Sequence, residues 1–170
     1  EYHIITILYL KLYLLTIIKG IEDGDLLGNR IPYNKEMSLK YQKICKQFEP
    51  NVEITPFFKP YYHSQKEDFY NIKWRTISEP KHKYHTPSGK FLTENVDYAY
   101  LDDTLWELLQ DKDIREEYKE AIEKSFTYEN GKEYFVLESI VYEMSKELIN
   151  TISKSKQVTI DSDMFDEIKG

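Results

Sequence analysis

Cysteine is nearly missing from these 170 residues: Cys45 stands alone, so no bridge can form within the chain and a disulfide framework is excluded. That usage suits a reducing compartment, and the expected location is the cytoplasm. A chain of this length buries roughly 70% of its unfolded surface as one domain without such staples. Glycine is also sparse, with six in all, and Gly20, Gly24 and Gly28 assemble neither a P-loop nor a dinucleotide fingerprint. Long apolar runs are missing as well. Residues 4 to 18, IITILYLKLYLLTII, are too short for a membrane span and carry Lys11 at their centre, which predicts a buried core helix and no membrane partner.

Metal-ligand spacing is equally thin. His82 and His85 lie three apart and His63 could join them, but no further ligand accompanies them, and no zinc site or other cofactor is expected. His3 falls in the apolar N-terminal run and reads as structural. Cys45 lies on the apolar stripe of a helix, where a thiol acts as a small hydrophobe and not as a nucleophile. Glu167 and Lys169, with Asp161 and Asp163 upstream, spell part of a metal-dependent nuclease motif, but these acids crowd the chain end with no strand to spread them.

What the chain does have is aromatic residues and an uneven charge. Fifteen Tyr and eight Phe indicate a folded composition. The net charge of −7 argues against a generic polyanion binder. Its distribution points the other way. Residues 73 to 90 hold Lys73, Arg75, Lys81, Lys83 and Lys90 against Glu79 alone, a net +4 that leaves −11 elsewhere. Residues 91 to 130 follow with twelve acids and four bases, so a molecule with two electrostatic faces is expected.

Periodicity supplies the fold class. Met37, Tyr41, Ile44, Cys45 and Phe48 recur at helical spacing within residues 34 to 48, after a cap at Asn34 and before Pro50. Asp102 or Asp103 can cap a short helix carrying Leu105, Trp106, Leu108 and Leu109. Asp113, with Glu116 as its capping-box partner, opens another through Ile114, Tyr118, Ala121 and Ile122. A last helix is read from Leu137, Ile140, Val141, Met144 and Leu148, after the turn at Asn130 and Gly131. Residues 52 to 75 are aromatic, β-branched and broken by proline, which predicts loops and short strands. Phe69, Tyr70, Ile72 and Trp74 suggest one strand and Tyr98 to Leu101 its partner. The expected class is α+β, mostly helical, with about five helices and a small antiparallel sheet.

Three segments in order, NRIPYNKEM, ITPFFKPYYHSQKEDFYNIKW and YAYLDDTLWELLQDKDIREEYKEAI, resemble the N-terminal domains of HNH-type restriction endonucleases, a group that includes sulfur-binding domains reading phosphorothioate-modified DNA. The likeness spans residues 3 to 127. It implies a DNA-recognition domain over residues 1 to 128, followed by a C-terminal helix and acidic tail over 129 to 170, packed on the same domain or leading to a linker. It also implies duplex DNA as the partner, a nuclease domain or effector subunit alongside, and no catalytic residue in this chain. The family has Pro before its aromatic pair, where this chain has Asp68 before Phe69 and Tyr70, so an apolar cup for sulfur would carry an acid at its rim.

The residues expected at DNA follow from the basic loop and the aromatic stretch. Lys59, Lys73, Arg75, Lys81, Lys83 and Lys90 would hold phosphates, with His82, His85 and Trp74 close to sugar or base edges. Tyr61, Tyr62 and His63, each with a polar tip, are expected as exposed readers, beside a cup to which Phe69 and Tyr70 contribute. Two other classes stay open: a protein-interaction subunit of a defence complex that offers its acidic helices to a basic partner, and a metal-dependent nuclease.

Overall fold

A computed structural model describes residues 2 to 127, with side chains from Leu8 to Phe126. The helix expected over 137 to 148, the tail, and the acids Asp161, Asp163 and Glu167 lie outside the described residues. Among those described, six α-helices and one two-stranded antiparallel sheet form an α+β fold, mostly helical, as the periodicity predicts.

Helix α1 (Tyr2–Glu22) is mostly apolar, with no continuous polar face, and such a helix belongs in the middle of a core. Every residue from Lys11 to Ile18 is buried there. Thr16 meets the cost of its hydroxyl by donating to the Leu12 carbonyl at 2.7 Å, and the Lys11 ammonium lies 5.5 Å from the Phe126 ring. No described helix is long and apolar enough to cross a membrane. After α1 the chain reverses at Gly24, whose φ of 78° is a left-handed conformation that glycine adopts without steric cost.

The segment NRIPYN then clamps three elements together. Asn29 behaves as an extra strand residue: its Oδ1 accepts from Leu101 N at 2.8 Å and its Nδ2 donates to Leu101 O at 2.6 Å. Ile31 forms a bridge with Ala99, and Asn34 caps helix α2 (Lys35–Phe48) by accepting from Met37 N at 2.8 Å. The stripe of α2 buries Met37, Tyr41, Ile44 and Cys45 against α1, as expected.

Where strands and loops were expected over 52 to 75, the chain first forms helix α3 (Phe58–His63) and a short 3₁₀ turn over Ser64–Lys66. Pro60 sits in the first turn of α3, where its missing N–H costs nothing, and the spacing of Phe57 and Tyr61 suits one buried helical face. Strand β1 (Tyr70–Trp74) pairs antiparallel with β2 (Val96–Leu101), with Tyr70 opposite Leu101 and Lys73 opposite Tyr98. Between them lie the loop 75–88 and helix α4 (Gly89–Asn95), which Ser88 caps by accepting from Phe91 N at 3.2 Å.

Helix α5 (Asp103–Gln110) starts at its expected cap, Asp102. Helix α6 (Lys112–Lys124) starts two residues before the expected one. Asp111, not Asp113, is its cap, accepting from Asp113 N at 2.9 Å and Ile114 N at 3.2 Å, and the same residue closes α5. Lys119 of α6 reaches Glu22 of α1 at 3.5 Å, and both α5 and α6 pack against α1.

Candidate nucleic-acid interface

One end of α3, the loop 75–88 and the start of α4 meet in a cluster of rings. Tyr62 and His63 are neighbours on α3, with ring centroids 5.1 Å apart. The Tyr62 ring stands edge-on to Trp74 at 6.4 Å and to His82 at 5.7 Å, and His82 in turn packs on Phe91 at 5.2 Å. His63 lies 5.3 Å from His85, the two rings tilted by 31°. A hydrogen bond of 2.7 Å between His63 Nε2 and Thr86 Oγ1 ties the helix to the loop. Helix α3 and the continuous stretch from Trp74 to Phe91 therefore hold each other in place through these rings.

His82 is the joint of this cluster. Its Nδ1 lies 2.7 Å from the Tyr84 carbonyl, which can only accept, so Nδ1 carries a proton. In the neutral ring Nε2 is then an acceptor, 3.3 Å from the Tyr62 hydroxyl; in the charged ring it faces Glu79 Oε1 at 3.4 Å. Burial, with Glu79 nearby, pushes the Tyr62 phenol up to about 12. His63 is moved the other way. Burial holds its imidazole below the ordinary value, and the positive charges of Lys66, His85 and Lys59 add to the effect.

That repulsion locates cations at the site. Lys59, on the exposed side of α3, and Lys66, just after it, both bear on His63. Lys81 and Lys83 are exposed on the loop, and Lys90 is exposed on α4 beside Phe91. Among the described residues none of these five lysines pairs with a carboxylate. Lys66 was not among the expected contacts, because Glu67 and Asp68 directly follow it and outweigh its charge locally. Trp74 and Phe91 support the rings from below, and only the fold brings Phe91 there.

Several expected site residues are elsewhere. Tyr61, expected as an exposed reader, is fully buried, and its hydroxyl donates to the Ile31 carbonyl at 2.7 Å. Tyr70 is likewise in the core, donating to the Tyr61 carbonyl at 2.7 Å. Their rings interlock with Tyr13, Phe57 and Tyr33, so these two members of the expected apolar cup are core packing and not an exposed lining. Phe69 is half-buried against the same core. Arg75 is exposed, but its guanidinium is engaged: Nε donates to the Val96 carbonyl at 3.2 Å and Nη2 to Thr93 at 3.3 Å, anchoring the end of α4. Lys73 alternates with Trp74 along β1 and points to the opposite sheet face from the ring cluster.

No group of three or more His, Cys, Asp or Glu able to hold a metal ion occurs among the described residues. Cys45 is buried on α2, and burial pushes its thiol up, away from the reactive thiolate. No family model matches the chain, and no curated protein matches it.

Proposed function

We propose that this domain binds duplex DNA through the face made by α3, the loop 75–88 and the start of α4, as the recognition part of a restriction or defence system. The observation that carries the reading is the set of exposed lysines, Lys59, Lys66, Lys81, Lys83 and Lys90, without carboxylate partners among the described residues, around a cluster of partly exposed rings. Lysines without internal partners are available to phosphates, and aromatic and imidazole edges between them reach sugar or base. The ordered resemblance of residues 3 to 127 to the N-terminal domains of HNH endonucleases supports the same reading.

In this reading Tyr62, His63 and His85 do the sensing of a modified backbone or base, while cutting falls to a nuclease domain or effector subunit. A phosphorothioate would have to be received at these rings and not in the buried core around Tyr70. Fluorescence anisotropy with matched duplexes carrying phosphorothioate, 5-methylcytosine or no modification, repeated over several salt concentrations, tests this. Preference for one duplex identifies the modification; equal, salt-sensitive binding supports plain DNA affinity; absence of binding removes the proposal.

A second reading has its own observation. Helix α6 exposes Asp113, Glu116, Glu117 and Glu120, an acidic surface to which a basic protein partner would bind. Pull-down of a basic effector that survives Glu116→Lys and Glu117→Lys substitution would remove that surface from consideration.

A further inference from the structure

The loop 75–88 is tied at both of its limbs. Arg75 donates its backbone N–H to the Asn95 carbonyl at 2.9 Å and its side chain to Val96 and Thr93, and Thr76 Oγ1 donates to the Ser78 carbonyl at 2.6 Å. On the other limb His82 holds the Tyr84 carbonyl at 2.7 Å while its ring packs between Tyr62 and Phe91. Yet this held loop presents Ile77 entirely to solvent and leaves Tyr84 71% exposed. Single exposed apolar residues are ordinary on protein surfaces. These two differ because they ride on a braced loop together with Lys81 and Lys83, whose one acid, Glu79, faces His82. Lys83 also lies over the Tyr84 ring, its ammonium 5.9 Å from the centroid.

We propose that Ile77 and Tyr84, each exposed on this loop, insert as separate apolar side chains into the minor groove of a bound duplex, part a base step and kink the DNA. The inference rests on the DNA-binding reading above and adds how the loop engages the duplex. Apolar side chains carried on a cationic element do this by partly unstacking neighbouring base pairs, while the cations beside them hold the flanking phosphates. A braced loop suits the task, because a mobile one would fold its Ile back onto the protein instead of spending binding energy on the kink. The duplex that follows from this is one with a flexible step. Pyrimidine–purine steps such as TA and TG unstack most cheaply and A-tracts resist, so preference would arise from deformability and not from base-edge hydrogen bonds.

The test uses end-labelled duplexes with a central TG step or a central A-tract, read by energy transfer for end-to-end distance and by anisotropy for affinity. Binding is expected to shorten the end-to-end distance of the TG duplex and to favour it over the A-tract by about fivefold. The Ile77→Ser/Tyr84→Ser variant, altered only at exposed positions, should bind with an unchanged salt slope, leave the duplex straight and lose the preference; Ile77→Leu should keep both. If the wild-type chain binds without bending the DNA, or if the double serine variant bends it equally, the insertion is overturned and the DNA-binding reading stands. If no duplex binds in a salt-sensitive way, both are overturned.

Discussion

The hydroxyl of Tyr13 lies 2.9 Å from that of Tyr70, and Tyr13 must be the donor, because the single proton of Tyr70 is already committed to the Tyr61 carbonyl at 2.7 Å. Helix α1, strand β1 and helix α3 are thereby joined by a buried chain of hydrogen bonds. The chain makes Tyr70 a structural residue. It also fixes where α3 stands, and so where Tyr62 and His63 emerge.

Removing one link should be felt through the fold. Tyr70→Phe keeps the ring but leaves the Tyr61 carbonyl and the Tyr13 hydroxyl without their partner in a site that water does not reach. The expected loss is about 1–3 kcal/mol of unfolding free energy, checked by urea denaturation. A variant as stable as the wild type would mean that another donor takes over.

The same residues make the domain sensitive to alkali. Burial raises the phenols of Tyr13, Tyr41, Tyr61 and Tyr70 above the ordinary value of 10.0. A phenol with a raised folded pKa contributes stability that is fully present below the unfolded pKa and lost as pH climbs above it. Each should cost about 1.4 kcal/mol per pH unit past that point. Phenolate absorbance of these four should therefore appear together with the loss of near-ultraviolet circular dichroism. Reversible titration with the fold intact would contradict their burial.

His63 acts at the other end of the scale. Its folded pKa lies below the ordinary 6.5, so its neutral form suits the fold, and its contribution is present above 6.5 and lost as pH falls through the folded value. Stability should decline between neutral and mildly acidic pH, and His63→Asn should flatten that slope. Urea midpoints at three pH values decide it. Phosphates at Lys59 and Lys66 would offset the charges that depress His63, so bound duplex should raise its pKa, measurable from the ring proton shifts.

Salt dependence separates the lysines by position. Engagement of Lys59, Lys66, Lys81, Lys83 and Lys90 implies a slope of log affinity against log salt near roughly −4. The Lys81→Ala/Lys83→Ala variant should make that slope shallower by about 2. Lys73→Ala, on the other sheet face, should leave it unchanged. Equal effects of all three substitutions would mean that the interface wraps both faces of the sheet.

Much of the architecture was legible beforehand because it rests on local rules. A mostly apolar helix with no continuous polar face is central, which set α1; the stripe and cap of α2, the Asp102 cap of α5 and the alternation ending at Trp74 are readable without coordinates. Helices α3 and α4 were not. Segments of six and seven residues do not hold a helix by propensity, and packing of Phe57, Tyr61 and Leu92 into the core stabilises them instead. Asp111 took the cap of α6 from Asp113 because it serves two helix ends at once.

By itself the sequence determined the four longer helices, the aromatic content and the concentration of positive charge after β1. Only the tertiary structure decided which aromatic residues face out. Tyr61 and Tyr62 carry the same side chain one position apart, yet a helix turns roughly 100° per residue, so one reaches the buried Ile31 carbonyl and the other His82. Lys73 and Trp74 part in the same way across a strand, and Arg75 is drawn to the end of α4. Composition counts side chains and their charges, whereas availability to a partner depends on which other groups they have already met in space.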